Sequence, residues 1–265
     1  MTLQTFAEKV GLSFTELRSA GERSGFAGKE KGLWISFQEN PQKFLDTLDH
    51  LPDAVKYPGA LWIMSCFAVF RHDWFKEKGI SDAVYFDTFR DIAIWHDVLK
   101  RTEGVSGLKQ YRWTAKPLTG ELYRLGRLEF EPDAREDILW IHIPEGGSLA
   151  PEAVDDSLRQ AAGFFPSVFG HTFVRWQCES WLLARVNREF MKPDSHILKF
   201  AARFEPAAPD FESGQAVERV FDWPKGPVSS YPENTGLQRR FKQWLLAGGK
   251  PMEGKGRLKE IPTIT

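Results

Sequence analysis

Two rhythms of apolar and polar residues run along this chain. From Ser13 to about Gly107 the apolar residues recur every three or four positions, the period of a helix with one buried face. Ser13-Phe14-Thr15-Glu16 has the form of a capping box, with Ser13 as cap and Glu16 reaching back to its amide. Asn40-Pro41 is a second start, since Asn caps well and Pro suits the first helical position; Leu45, Leu48 and Leu51 follow on one face. Tyr57 to Phe75 reads as a buried helix, and Ser81 opens another whose stripe is Val84, Phe86, Phe89, Ile92, Trp95 and Leu99 before Gly104 and Gly107 end it. Helices with short connections predict a small bundle.

Near Leu122 the rhythm changes. Leu122 to Glu131 alternates, Asp133 to Asp137 is turn-like, and Ile138 to Ile143 is apolar and β-branched, which together predict a hairpin. Pro144-Glu145-Gly146-Gly147-Ser148 is a turn, and Pro151 stands where a first helical residue belongs. Further strands are expected over His171 to Leu183, Ile197 to Phe204 and Val217 to Trp223, with a last helix over Thr235 to Ala247. The Gly- and Lys-rich stretch after it reads as a loose tail. The expected class is α+β, a helical N-terminal lobe followed by a mixed sheet with flanking helices. The expected boundaries are 1–120, 121–247 and a flexible tail over 248–265.

Composition narrows the function classes. Lys plus Arg is 35 against 36 for Asp plus Glu, and no basic stripe interleaves with aromatics, so nucleic acid is not an expected partner. The two cysteines form no CxxC pair and the six histidines lack ligand spacing; no metal site and no disulfide framework are expected. The start shows no signal-peptide pattern, and the longest apolar run, Ala60 to Phe70, is too short for a membrane span. A cytoplasmic location follows by default. No GxSxG, Walker loop, HExxH or GxGxxG with a downstream acid is present.

The stretch from Ile138 to the helix opening at Pro151 carries the chemistry. A helix start leaves backbone N–H groups unpaired and favours an anion, and adjacent glycines let a phosphate approach. Glu145, Glu152, Asp155 and Asp156 stand against that reading, because acids there repel phosphate; they also suit the helix dipole. Alternation places Trp140 and His142 on one face of their strand. His142 ends that strand beside the turn, and an imidazole suits a general base; alternatively its ring orders the turn. In the strand over Phe173 to Leu182, Cys178 and Ser180 share one face and Glu179 takes the other. Cys178 is a candidate nucleophile or a buried thiol, Ser180 a candidate donor to a thioester or leaving thiolate, and Glu179 a second candidate base or a solvated charge. Arg124 and Arg127 flank Gly126 on opposite faces, where one pairs with an acid to fix the hairpin or binds an acceptor carboxylate.

Tyr123-Arg124-Leu125-Gly126-Arg127-Leu128-Glu129-Phe130-Glu131, then Ile141-His142-Ile143-Pro144-Glu145-Gly146-Gly147, then Cys178-Glu179-Ser180-Trp181-Leu182-Leu183 resemble, in order, the signatures of a bacterial acyltransferase family. That family joins a helical N-acyltransferase N-terminal domain to a GNAT-like C-terminal domain, and Asp87 to Trp95 running into Gly107-Leu108 resembles the former. The resemblance implies two central parallel strands that splay apart around the pantetheine arm of an acyl-CoA, here Ile138 to Ile143 and Phe173 to Leu182. It implies a pyrophosphate site at Ile143, Glu145, Gly146, Gly147, Ser148 and Leu149. The implied activity is acyl transfer from acyl-CoA, the co-substrate, to a small-molecule or peptide amine by direct attack. An acyl carrier protein is an alternative donor. The chain departs from the wider GNAT pattern: the usual Gln/Arg-x-x-Gly-x-Gly/Ala signature is absent, and no Tyr lies in Ala184 to Met191. Those departures keep open a non-catalytic module that senses a ligand or holds a partner on the same fold.

Overall fold

The computed structural model describes residues 1–263. The chain divides into two compact units, Met1–Arg124 and Leu125–Thr265. The first is helical: α1 (Leu3–Val10), α2 (Phe14–Ser24), α3 (Glu30–Glu39), α4 (Pro41–Asp49), α5 (Asp53–Glu77), α6 (Asp82–Phe89), α7 (Asp91–Glu103), and the single turns α8 (Tyr111–Thr114) and α9 (Lys116–Thr119). Helix α5 is its axis, buried without interruption from Pro58 to Ala68, as expected of a helix apolar all round. Polar contacts join its neighbours. The Tyr85 hydroxyl donates to the Ala68 carbonyl at 2.7 Å, and Asp49 receives both Tyr111 and Arg112.

Asn40 caps α4 through the Lys43 amide at 2.9 Å with Pro41 as first residue, and Ser81 caps α6. Two expectations need correction. Ser13 accepts the Glu16 amide at 3.4 Å, but the Glu16 carboxylate meets Lys100 at 2.6 Å instead of completing a capping box. The single stripe from Ser81 to Leu99 is two helices, because the chain turns at Arg90, whose amide bonds back three residues to Asp87.

After the boundary-spanning β1 (Tyr123–Leu125) come β2 (Leu128–Asp133), β3 (Ile138–His142), α10 (Pro151–Phe169), β4 (Arg175–Ser180), α11 (His196–Ala201), β5 (Phe204–Pro206), β6 (Phe211–Glu212), α12 (Gln215–Phe221), α13 (Gly236–Leu246) and β7 (Met252–Leu258). The strands form a mixed sheet in the order β1-β2-β3-β4-β7-β5, with β6 beside β7. Strands β2 and β3 are antiparallel, β3 and β4 parallel, and β7 runs antiparallel to both β4 and β5. Phe130, Leu139, Ile141, Trp176 and Cys178 are buried, and α10 buries Val154, Leu158, Ala161 and Phe165.

Four expected elements differ. Ile197 to Phe204, expected as a strand, is mainly α11, capped by Ser195 on the Leu198 amide; so short an apolar run fits either period. Val217 to Trp223 is α12, which stops where Asp222 turns left-handed at φ 61°. The expected loose tail supplies β7, an interior strand. Its core-facing positions include Gly254 and Gly256, so its composition imitates a linker. The strand expected over His171 to Leu183 is β4 alone, and Trp181–Leu183 is a 3-10 turn.

Candidate active site

The site starts from the one parallel pairing. The register of β3 with β4 runs Ile138–Arg175, Leu139–Trp176 and Trp140–Gln177 and stops there. Strand β3 continues to His142 and β4 to Ser180, and β4 pairs with β7 along its other edge. Past Trp140 and Gln177 the two neighbours therefore leave their facing edges unladdered. Such edges must find other partners, and a polar, amide-bearing ligand can supply them.

Beyond the end of β3 lies the glycine turn. Gly146 and Gly147 are left-handed, at φ 86° and 72°, conformations that a side chain disfavours. Arg127 braces the turn from β2's start: Nε donates to the Ser148 carbonyl at 3.2 Å, one terminal nitrogen to Pro144 at 3.0 Å and the other to Gly147 at 3.3 Å. The amides of Gly146, Gly147 and Ser148 donate to no backbone carbonyl among the described residues. Helix α10 then opens on Ala150 with no side-chain cap, so its first amides add to an anion-favouring end. Three of the four acids nearby are partnered. Glu145 lies 3.9 Å from Arg219, Asp155 pairs with Arg203, and Asp156 is 3.6 Å from Arg159. Their repulsion of a phosphate is correspondingly reduced. The backbone thus fits a pyrophosphate group, with the donors on Gly146, Gly147 and Ser148; Leu149 is buried and Ile143 is half-buried at the strand end.

The four candidate catalytic side chains separate onto two faces. On one, His142 Nε2 lies 2.9 Å from Glu131 Oε2, and both are about a quarter exposed, at 28% and 24%. Glu179 is on that face too, exposed, 3.8 Å from Lys255, its direct cross-strand partner. The Lys255 ammonium in turn lies 4.6 Å from the Trp140 ring centre, within cation–π range. On the other face Cys178 is fully buried in the core. Burial first, then the carboxylates of Glu253 and Glu179, push its thiol well above the ordinary range, so at neutral pH it is not a thiolate. Ser180 is buried as well, and its hydroxyl accepts the Leu182 amide at 3.2 Å, capping the 3-10 turn. His142 and Glu179 share a face that Cys178 and Ser180 do not.

Sequence reasoning missed three contributors. Glu131 stands directly opposite Trp140 in the hairpin and reaches His142 diagonally, the direct partner of His142 being Glu129, so the register alone does not announce the contact. Ser148 Oγ meets His196 Nδ1 at 2.8 Å across 48 residues, and Lys255 comes from the supposed tail; neither has a local signal. Arg127 fixes backbone carbonyls, a role that the expected acid pairing did not anticipate. Among the described residues no group of three or more His, Cys, Asp or Glu gathers in a metal-binding arrangement, and no helix is long and apolar enough to cross a membrane.

Comparison with known proteins places this geometry in a family. Residues 1–120 match the family model described as an N-acyltransferase N-terminal domain, and residues 122–258 match the GNAT-like C-terminal domain. No curated protein matches the chain. Among solved structures, an acyltransferase in complex with decanoyl-CoA and teicoplanin is 23% identical with a TM-score of 0.74, covering 99% of this chain and 100% of that one. An acyltransferase in complex with decanoyl-CoA is 21% identical with a TM-score of 0.73 over the same shares. At that identity the likeness establishes the fold. The chain belongs to the family that joins an N-acyltransferase N-terminal domain to a GNAT-like C-terminal domain.

Proposed function

We propose that this chain is an N-acyltransferase that moves an acyl group from acyl-CoA to an amine. The observation that carries the reading is the parallel β3–β4 pair whose ladder ends at Trp140–Gln177, directly before a glycine turn and an uncapped helix start. The pantetheine arm has amides of its own and fits between two unladdered strand edges. The pyrophosphate then meets the amides of Gly146, Gly147 and Ser148 and the start of α10. The thioester falls near His142. The likeness to acyltransferases solved with decanoyl-CoA supports the donor, and the one solved with teicoplanin supports a small-molecule acceptor.

The amine nitrogen attacks the thioester carbonyl carbon directly, the C–S bond breaks, and the sulfur leaves as CoA thiolate. His142 takes the proton that the amine gives up, while Glu131 holds the imidazole in one orientation and stabilises its charged form. The His142 imidazolium then gives that proton to the departing sulfur, which is released as the CoA thiol. Glu179, held by Lys255, attracts the cationic acceptor to the same face. We place the reaction in the cytoplasm. The test is thiol release with acyl-CoAs of two to ten carbons against a panel of amines. Turnover that depends on both substrates is expected. No thiol release and no binding of any acyl-CoA at millimolar concentration would overturn the reading, and turnover only with acyl carrier protein would replace the donor.

A further inference from the structure

The start of β2 is unusually well tied. Ser157 of α10, fully buried, accepts the amides of Arg127 and Leu128 at 2.6 and 3.1 Å, so the β1–β2 turn is fixed to the flank of α10. From that anchored position the Arg127 guanidinium reaches the carbonyls of Pro144, Gly147 and Ser148 at 3.0–3.3 Å. A trans peptide sets its N–H opposite its C=O. Gathering those three carbonyls on one side therefore turns the amides of Glu145, Ser148 and Leu149 to the other; of the three phosphate donors this aims Ser148 directly, while Gly146 and Gly147 are held between the anchored peptides at Pro144 and Gly147. A planar fork with five donors can span three acceptors; a lysine ammonium cannot hold them in the same geometry.

We propose that Arg127 is a positioning residue for the donor's phosphates: it touches no reacting atom but aims the backbone amides of the turn. The inference rests on the reading of this turn as the acyl-CoA pyrophosphate site. Flexible glycines at Gly146 and Gly147 would otherwise leave the turn many conformations, and ordering it only on binding would weaken affinity. S-acyl-pantetheine is the informative probe, because it carries the thioester and lacks the phosphates.

The experiment compares kcat/KM for acyl-CoA and S-acyl-pantetheine in the full chain with Arg127→Lys and Arg127→Ala, with thermal melts to confirm folding. The acyl-CoA preference is expected to fall about tenfold in both variants, the scale of one or two charge-assisted hydrogen bonds. The loss should lie in the donor KM, not in kcat. An unchanged preference in Arg127→Lys overturns the inference while leaving the site intact. An equal loss on both donors assigns Arg127 a general structural role and also overturns it. A full-length chain that never prefers acyl-CoA over S-acyl-pantetheine contradicts the phosphate site itself, a separate failure.

Discussion

Replacing Cys178 by alanine separates direct attack from a covalent acyl-enzyme. The thiol has no exposure, lies on the same buried face of β4 as Trp176, and is held protonated by burial and two carboxylates. Alanine removes one sulfur. Losing a methylene-sized buried group costs about 0.8 kcal/mol, and a residual void of ~25 Å³ at ~24 cal/mol per Å³ adds ~0.6 kcal/mol. A total near 1.4 kcal/mol lowers Tm by ~3–6 °C for a unit of this size. Calorimetry reads the first effect and thiol release the second, with kcat expected within about threefold of the parent because no bond is made to this sulfur. Intact-protein mass spectrometry after mixing with acyl-CoA alone should show no added acyl group. A loss of turnover of three orders of magnitude, with an acyl adduct on the parent that Cys178→Ala lacks, would refute this reasoning.

Other substitutions probe the remaining parts. His142→Gln should lower kcat by about 10²–10³ with little change in donor affinity, the range for removing a general base; unchanged kcat would remove His142 from the chemistry. Gly254→Ala places a Cβ 2.9 Å from the Leu183 carbonyl carbon, too close for backbone to absorb, and should destabilise by about 1–3 kcal/mol in a denaturant titration. In the N-terminal unit, hydrogen bonds from Arg112 and then Tyr111 hold Asp49 below its ordinary 3.8. Its contribution is thus present above the unfolded value and lost as pH falls through the folded one. The Tm difference between the parent and Asp49→Asn should shrink on acidification below about pH 4; a difference constant from pH 7 to 2 would contradict it.

The parts of this chain that were legible in its sequence are those with local causes. Caps at Asn40 and Ser81, proline at Pro41 and Pro151, and the alternation of β2 and β3 all act over a few residues. The facing of side chains on β4 followed from the two-residue period, which is why Cys178 and Glu179 separate as expected. What stayed hidden depends on pairing across long separations. Strand β7 looks like a linker because close approach to Leu183 and Phe204 demands glycine at 254 and 256. Its insertion beside β4 brings Lys255 to Glu179 and Trp140. Short apolar runs such as Ile197 to Phe200 take their identity from a cap, and Arg127 from backbone carbonyls about 20 residues away, which residue type alone does not announce.

The most direct test of the central claim is a crystal structure of the chain soaked with a non-transferable acyl-CoA analogue. The account predicts pantetheine between β3 and β4 beyond Trp140 and Gln177, with pyrophosphate on the amides of Gly146 to Ser148 and the start of α10, and the thioester position near His142. A ligand bound elsewhere, with that strand edge and turn left in contact only with water, would contradict it.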